Sequence, residues 1–174
     1  MHDTERGGLV SCPTKADALA SLQEDHIFCW QGHGSATSLG LCTDPITTTD
    51  IASIPAGGLS QLRLVWLGSC SSMYQRHASS IGMRIKAKGA QAVFGYLYRY
   101  YPGLPGPQLF EKRAWEYLAQ GDELNRACQR ALRAVNDAGL GTLGLVDDPS
   151  TPAIEEGWYV ENGSQKIVPA FTLP

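Results

Sequence analysis

The sequence lacks any long hydrophobic run. No apolar stretch approaches the roughly 20 residues that a helix needs to cross a bilayer. The polar residues 1–8 contain no apolar segment of the kind that follows the basic start of a secretory signal. We therefore expect a protein without a membrane partner.

Positive charge is also scarce, because 14 Lys and Arg residues stand against 17 Asp and Glu residues and give a formal net charge of -3. Proteins that bind nucleic acids neutralise phosphates with clustered basic side chains. The one basic cluster, Arg84, Lys86 and Lys88, is better explained as the solvated face of a helix. The composition therefore predicts no nucleic-acid partner.

Paired cysteines are missing as well. Five cysteines form an odd set without a CxxC pair, namely Cys12, Cys29, Cys42, Cys70 and Cys128. Both a disulfide framework and a zinc knuckle require pairs. We expect reduced thiols and a cytoplasmic location, with Cys29 and Cys128 at apolar positions of the core.

The composition that is present is typical of a globular protein, with 43% hydrophobic and 18% charged residues. The sequence contains no internal repeat and no linker long enough to divide it. We therefore expect a single domain over residues 1–174.

Apolar periodicity predicts alternating strands and helices. The strands are expected at 8–11, 25–30, 62–67 and 89–96, and the helices at 14–22, 79–88, 107–119 and 122–138. Residues 35–60 are expected to form a loop region with one short helix. Asn162 and Gly163 lie between alternating apolar residues and predict a closing antiparallel hairpin. The pattern indicates an α/β fold with a mostly parallel central sheet flanked by helices.

Two reactive side chains follow strands of this predicted sheet. His33 comes after the strand that ends near Trp30, and Cys70 comes after the apolar strand that ends at Leu67. Ligands of open α/β sheets gather at the carboxyl ends of the strands, and nucleophilic cysteine chemistry needs a thiolate and an imidazole. The bland alternatives are a loop histidine satisfied by backbone and an inert buried thiol. The flanking glycines and the strand ends favour a catalytic pair.

Three segments carry a resemblance to a known family, and they are Ile27-Phe28-Cys29-Trp30-Gln31-Gly32-His33-Gly34, Leu64-Val65-Trp66-Leu67-Gly68-Ser69-Cys70-Ser71-Ser72 and Gly89-Ala90-Gln91-Ala92-Val93-Phe94-Gly95. In this order they resemble the histidine strand, the cysteine strand and the following glycine-alanine strand of the caspase-like (clan CD) cysteine peptidases, closest to the CHAT type.

The resemblance implies a caspase-like three-layer sandwich and a cysteine endopeptidase. It makes His33 the general base or acid and Cys70 the nucleophile, with the backbone amides of Gly34 and Cys70 as the oxyanion hole. It implies a protein or peptide substrate, a possible regulatory protein partner, and no metal or other cofactor.

The chain departs from the family pattern at three points. Arginine- and lysine-specific relatives carry an acidic residue two places before the nucleophile, where this chain has Gly68, so the motif does not support a preference for basic residues. Ser72 replaces a glycine that is common in CHAT domains. The segment before Ile27 is short for the family, so we expect a fragment, a trimmed form or a reduced variant of a longer protein.

Alternatives remain open at the sequence level. The chain could be a catalytically silent caspase-like module that binds a protein or peptide in the same cleft. An amidotransferase-like glutaminase would show glycine on both sides of Cys70, and only Gly68 is present. Asp25 and Asp44 could orient His33, although cap or turn roles are favoured. The tyrosines between Tyr96 and Tyr101 could form a substrate wall or pack beneath a loop.

Overall fold

The computed structural model describes residues 13–42, 44–74, 78–97 and 99–140, together with the backbone of 158–161. The helices are α1 (Lys15–Glu24), α2 (Thr48–Ser53), α3 (Ile81–Ala87), α4 (Pro105–Ala119) and α5 (Leu124–Asp137). The strands are β1 (Ile27–Gln31), β2 (Ser38–Leu39), β3 (Ile46–Thr47), β4 (Leu64–Gly68), β5 (Val93–Tyr96) and β6 (Trp158–Glu161). No helix in these ranges is both long and apolar enough to cross a membrane.

The main sheet has the strand order β1-β4-β5-β6. Strands β1, β4 and β5 are parallel, and β6 pairs with β5 in the antiparallel direction. This arrangement confirms the mostly parallel sheet and its antiparallel C-terminal edge. The second arm of the predicted hairpin and the predicted strand at 8–11 lie outside the described residues.

Strand β4 is apolar on both faces because it lies between two layers of helices. Val65 and Leu67 belong to the core cluster that includes residues of α1, α2 and α3. Leu64 and Trp66 face the opposite cluster, which α4 and α5 complete. Side chains of a strand alternate between the two faces of a sheet, so one continuous apolar run serves both clusters. The fold is therefore the three-layer sandwich that the sequence predicts.

Aromatic stacking anchors the layer formed by α4 and α5. The rings of Trp66 and Phe94 stack with their centroids 3.8 Å apart. Phe110, Ala114 and Leu118 bury one face of α4, as their spacing predicts. The buried face of α5 comprises Leu124, Ala127, Cys128, Ala131 and Val135.

Capping boxes, in which two residues exchange hydrogen bonds, cap the N-termini of α1 and α2. The Thr14 hydroxyl accepts a hydrogen bond from the Asp17 N–H at α1, and the Thr47 hydroxyl accepts one from the Asp50 N–H at α2. In return, each aspartate carboxylate accepts a hydrogen bond from the backbone N–H of its cap residue. Helix α4 begins two residues before the predicted start, because Pro105 can occupy the first turn of a helix.

The region 35–60 contains the expected short helix and an unexpected antiparallel pair, β2 with β3. Each of these strands has two residues, which is too short for alternation to mark it in the sequence.

The cysteines differ from the expectation at two positions. Cys42 is disulfide-bonded, whereas Cys29, Cys70 and Cys128 are free thiols. The prediction of reduced thiols is therefore wrong for Cys42. Cys128 is buried as predicted, but Cys29 is exposed because it lies on β1, which has a hydrogen-bonded neighbour on one side in the described sheet.

Candidate active site

His33 and Cys70 lie at the same edge of the sheet. Strands β1 and β4 pair in parallel with Gln31 opposite Gly68, and the Gly32 N–H donates to the Gly68 carbonyl at 3.1 Å. His33 and Cys70 each follow this pair by two residues. The structure therefore brings the two predicted residues to the carboxyl ends of neighbouring parallel strands.

The backbone of His33 is fixed while its side chain is exposed. The His33 carbonyl accepts the Gly40 N–H at 2.8 Å and the Trp30 indole N–H at 3.4 Å. Gly34 forms an antiparallel bridge with Leu39 directly beside it. These contacts hold the loop and leave the imidazole accessible to a ligand.

Cys70 is half-buried and contacts the loop after β5. The Tyr100 N–H donates to the Cys70 Sγ at 3.3 Å, and the Sγ donates to the Tyr100 carbonyl at 3.5 Å. An N–H directed at sulfur stabilises negative charge on it. The next residue, Ser71, has a φ of 55°, which lies in the left-handed region and marks a sharp turn after Cys70.

The predicted oxyanion-hole amides are available. The hydrogen bonds formed among the described residues leave the N–H groups of Gly34 and Cys70 unused. A Cβ atom at Gly34 would lie 2.9 Å from the Cβ and Oγ of Ser69. A side chain at position 34 would force Ser69 to shift, because the loop that holds His33 packs directly on the residue before Cys70.

Ser72 ties the turn after Cys70 to β5. Its hydroxyl lies within donating distance of the carbonyls of Leu67 (3.3 Å) and Ser69 (3.2 Å), and it accepts the Tyr96 N–H at 3.2 Å. The side chain fits because Gly95 opposite has no Cβ; one built there would lie 2.5 Å from the Ser72 Oγ.

Asp25 and Asp44, the two aspartates considered as partners of His33, both contact residues of α1. Asp25 caps the end of the helix and accepts a hydrogen bond from Ser21. Asp44 pairs with Lys15 at 3.1 Å. The favoured cap role therefore describes Asp25, whereas Asp44 forms an ion pair with Lys15 instead of the expected cap or turn.

A cavity of about 600 Å³ opens beside the pair. Its lining comes from the end of β1, the loop before α4 and the first turns of α4, and comprises Gln31, Gly32, Pro102, Gly103, Gln108, Glu111 and Lys112. Gly32 directly precedes His33, and Pro102 lies two residues after Tyr100, which contacts Cys70. The cavity therefore borders the residue before His33 and the loop that contacts Cys70, while His33 and Cys70 themselves do not line it.

The main polar group of this cavity, Glu111, was missed by sequence reasoning. Its carboxylate accepts the Gln31 side-chain amide at 2.9 Å, the Trp66 indole N–H at 3.3 Å and the Tyr96 hydroxyl at 3.3 Å. Burial raises the pKa of the Glu111 carboxyl, and hydrogen bonds from Tyr100, Trp66 and Tyr96 oppose the shift. The available signal was a charged residue directly beside the apolar stripe of α4.

The tyrosines after β5 divide into two groups. Tyr96 and Tyr100 are buried and stack with their ring centroids 4.2 Å apart, and burial raises the pKa of both phenols. Tyr101 is 45% exposed. Packing beneath the loop therefore describes the first two, and Tyr98 lies outside the described residues.

Metal-binding clusters do not occur in the described part of the chain, where no three His, Cys, Asp or Glu side chains gather closely enough to hold an ion.

Comparisons with known proteins show little likeness. No protein-family model and no curated protein matches the sequence. Among solved structures the chain is similar to one described as "Structure of Protease", with 15% sequence identity and a TM-score of 0.48. The match covers 84% of this chain and 36% of that protein, so the chain spans well under half of its length.

Proposed function

We propose that this protein is a cysteine endopeptidase in which His33 and Cys70 form the catalytic dyad. The observation that carries the proposal is the pairing of Gln31 with Gly68, which sets both residues at one edge of the sheet, two positions beyond the pair. Neighbouring parallel strands are the arrangement in which two loops can act on one bound group.

The first half of the reaction forms a thioester. His33 takes the proton of Cys70, and the sulfur attacks the carbonyl carbon of the scissile peptide bond. The oxygen becomes negatively charged and accepts hydrogen bonds from the amides of Gly34 and Cys70. When the C–N bond breaks, the imidazolium of His33 gives its proton to the departing amine.

The second half releases the acyl group. His33 takes a proton from a water molecule, whose oxygen attacks the thioester carbon. The C–S bond breaks, the sulfur leaves as a thiolate, and Cys70 regains its proton from His33. The Tyr100 N–H supports this step because it donates to the sulfur that leaves.

A silent module that binds a protein or peptide is the second candidate. The observation that favours it is that the Cys70 Sγ both accepts from and donates to the backbone of Tyr100. Such contacts could hold the thiol in place without turnover.

Substitution of the dyad separates the two candidates. We expect Cys70→Ala to abolish cleavage of a positional-scanning peptide library and labelling by peptidyl electrophiles. We expect His33→Ala to lower kcat by about 100- to 10,000-fold, the usual contribution of a general base. Circular dichroism would verify that both variants fold.

Cys29→Ala is the matched control, because among the described residues Cys29 is an exposed free thiol, whereas Cys70 is half-buried. The residue as a whole is exposed, but its sulfur is withdrawn from water, and the negative charge of Glu111 lies nearby. Both effects raise the pKa of the Cys29 thiol to about 11. Cys29 should therefore label slowly, and its variant should retain cleavage. Unchanged labelling of Cys70→Ala would end the proposal, and a stable peptide complex without turnover in the wild type would establish the silent module.

A further inference from the structure

Glu111 occupies space that belongs to position 68 of the cysteine strand. A Cβ atom built on Gly68 would lie 3.1 Å from the Glu111 Oε1, 3.2 Å from the Trp30 carbonyl oxygen and 3.5 Å from the Cγ of Gln31. A side chain at position 68 would therefore point at this carboxylate. Gly68 has no side chain, and the Glu111 carboxylate of α4 occupies the space that a side chain at position 68 would fill.

The carboxylate faces the cavity beside the dyad. Glu111 and Gln31 line one wall, and Gly32 connects that wall to His33. The loop before α4, which supplies Pro102 to the lining, follows Tyr100, and Tyr100 contacts Cys70. A side chain of a substrate residue whose carbonyl lies at Cys70 can therefore enter this cavity.

The charge of Glu111 lacks a counter-charge. Its hydrogen-bond donors are the neutral groups of Gln31, Trp66, Tyr96 and Tyr100. The ion pairs formed among the described residues do not include it. A largely buried carboxylate without a cation is costly, and a cation that reaches it is bound favourably.

Lys112 also lines the cavity, but it does not supply this counter-charge. Its side chain is exposed, so water screens its charge. Glu111 is largely withdrawn from water, and its interaction with a ligand inside the cavity is correspondingly stronger. The inner part of the cavity therefore favours a cation.

We propose that this cavity accepts the basic side chain of the substrate residue that precedes the cleaved bond, with Glu111 as the specificity-determining residue. The proposal rests on the cysteine peptidase function proposed above. It assigns peptides with arginine or lysine at that position as the substrate class. The cavity is open enough for a long side chain, and its glutamines can donate and accept further hydrogen bonds.

Glu111→Gln tests the assignment because it removes the charge and nearly keeps the shape. For a peptide with arginine before the cleaved bond, we expect kcat/KM to fall about 10- to 100-fold, the usual loss for a hydrogen bond to a charged group. For the same peptide with citrulline, a neutral analogue of arginine, kcat/KM should change little. Alkylation of Cys70 by iodoacetamide should proceed at the wild-type rate.

Glu116→Gln is the matched control on the same helix, because Glu116 lies outside the cavity and pairs with Arg113 at the surface. It should keep the wild-type ratio of arginine to citrulline turnover. Cleavage that depends on Cys70 but shows the same ratio in wild type and Glu111→Gln would overturn the assignment and leave the peptidase function standing.

Binding of a small cation tests the cavity without catalysis. Benzamidine should shift the indole N–H resonance of Trp66, which donates to Glu111, in wild type and Glu116→Gln. Neutral benzamide should not shift it, and Glu111→Gln should not respond to benzamidine. If benzamidine alone shifts the resonance and no peptide is cleaved, the cation site is supported and the peptidase function is rejected. Equal responses to benzamidine and benzamide, or no response to either, would overturn the cation site.

Discussion

At the scale of single residues, two glycines determine how closely the neighbouring segments of the candidate site pack. A Cβ at Gly34 would meet Ser69 at 2.9 Å, and one at Gly68 would meet Glu111 at 3.1 Å. Glycine at position 34 lets the His33 loop pack on the turn at Cys70, and glycine at position 68 makes room for the Glu111 carboxylate. Two missing Cβ atoms therefore set the approach of the His33 loop to the Cys70 turn and the space that the Glu111 carboxylate occupies.

The left-handed backbone of Ser71 leads to a stability prediction. A left-handed residue with a Cβ costs about 1–2 kcal/mol, and glycine removes that cost but loses more entropy on folding. We expect Ser71→Gly to raise the free energy of unfolding by about 0.5–1 kcal/mol, measured by urea denaturation. Ser71→Ala keeps the Cβ and should show no gain. An equal gain in both variants would contradict the explanation by backbone strain.

Sequence could indicate His33 and Cys70 but not Glu111. The first two each follow a strand and stand among glycines or small residues, which are local signals. Glu111 joins the site through contacts with Gln31, eighty positions earlier, and Trp66, forty-five positions earlier. No local pattern encodes contacts of that separation, so only the packing of α4 against the sheet shows them.

At the scale of secondary-structure elements, periodicity found the three parallel strands and the helices α1, α3, α4 and α5. These elements bury continuous apolar runs or stripes, which the sequence shows directly. The sequence did not predict the pair β2 and β3, because a strand of two residues is too short to show alternation. Cys29 was misplaced because an apolar pattern does not show whether a strand lies inside a sheet or at its edge.

Helix α4 carries a prediction about pH. Burial raises the folded-state pKa of Glu111 above its unfolded value, so the folded protein binds more protons between the ordinary value of about 4.3 and the raised one. Stability should therefore fall as pH rises through this window. Urea midpoints at a series of pH values should show this decline in wild type and Glu116→Gln and a smaller one in Glu111→Gln. A decline of the same size in all three would contradict it.

At the scale of the whole molecule, two apolar clusters share one sheet. Residues of β4 alternate between the cluster toward α1 to α3 and the cluster toward α4 and α5. Loss of either cluster would expose one face of the same strands. The two layers should therefore unfold together.

Truncation in either layer tests this coupling. Leu22 on α1 and Leu118 on α4 are almost fully buried on opposite sides of the sheet. We expect Leu22→Ala and Leu118→Ala each to lower the free energy of unfolding by about 2–5 kcal/mol. Far-UV circular dichroism and tryptophan fluorescence should report the same midpoint in each variant. Separate midpoints would show that the layers are independent.

In the proposed peptidase, the position of Glu111 on α4, rather than on the strand that precedes Cys70, separates the choice of substrate from reactivity. A substitution on α4 can recharge or neutralise the cavity while the ends of β1 and β4 keep their geometry. The double variant Gly68→Asp with Glu111→Gly places the carboxylate on the strand instead of the helix. It should restore part of the preference for basic residues that a single substitution of Glu111 removes. Selectivity in this scaffold can thus drift, or be engineered, by exchanging one helical side chain.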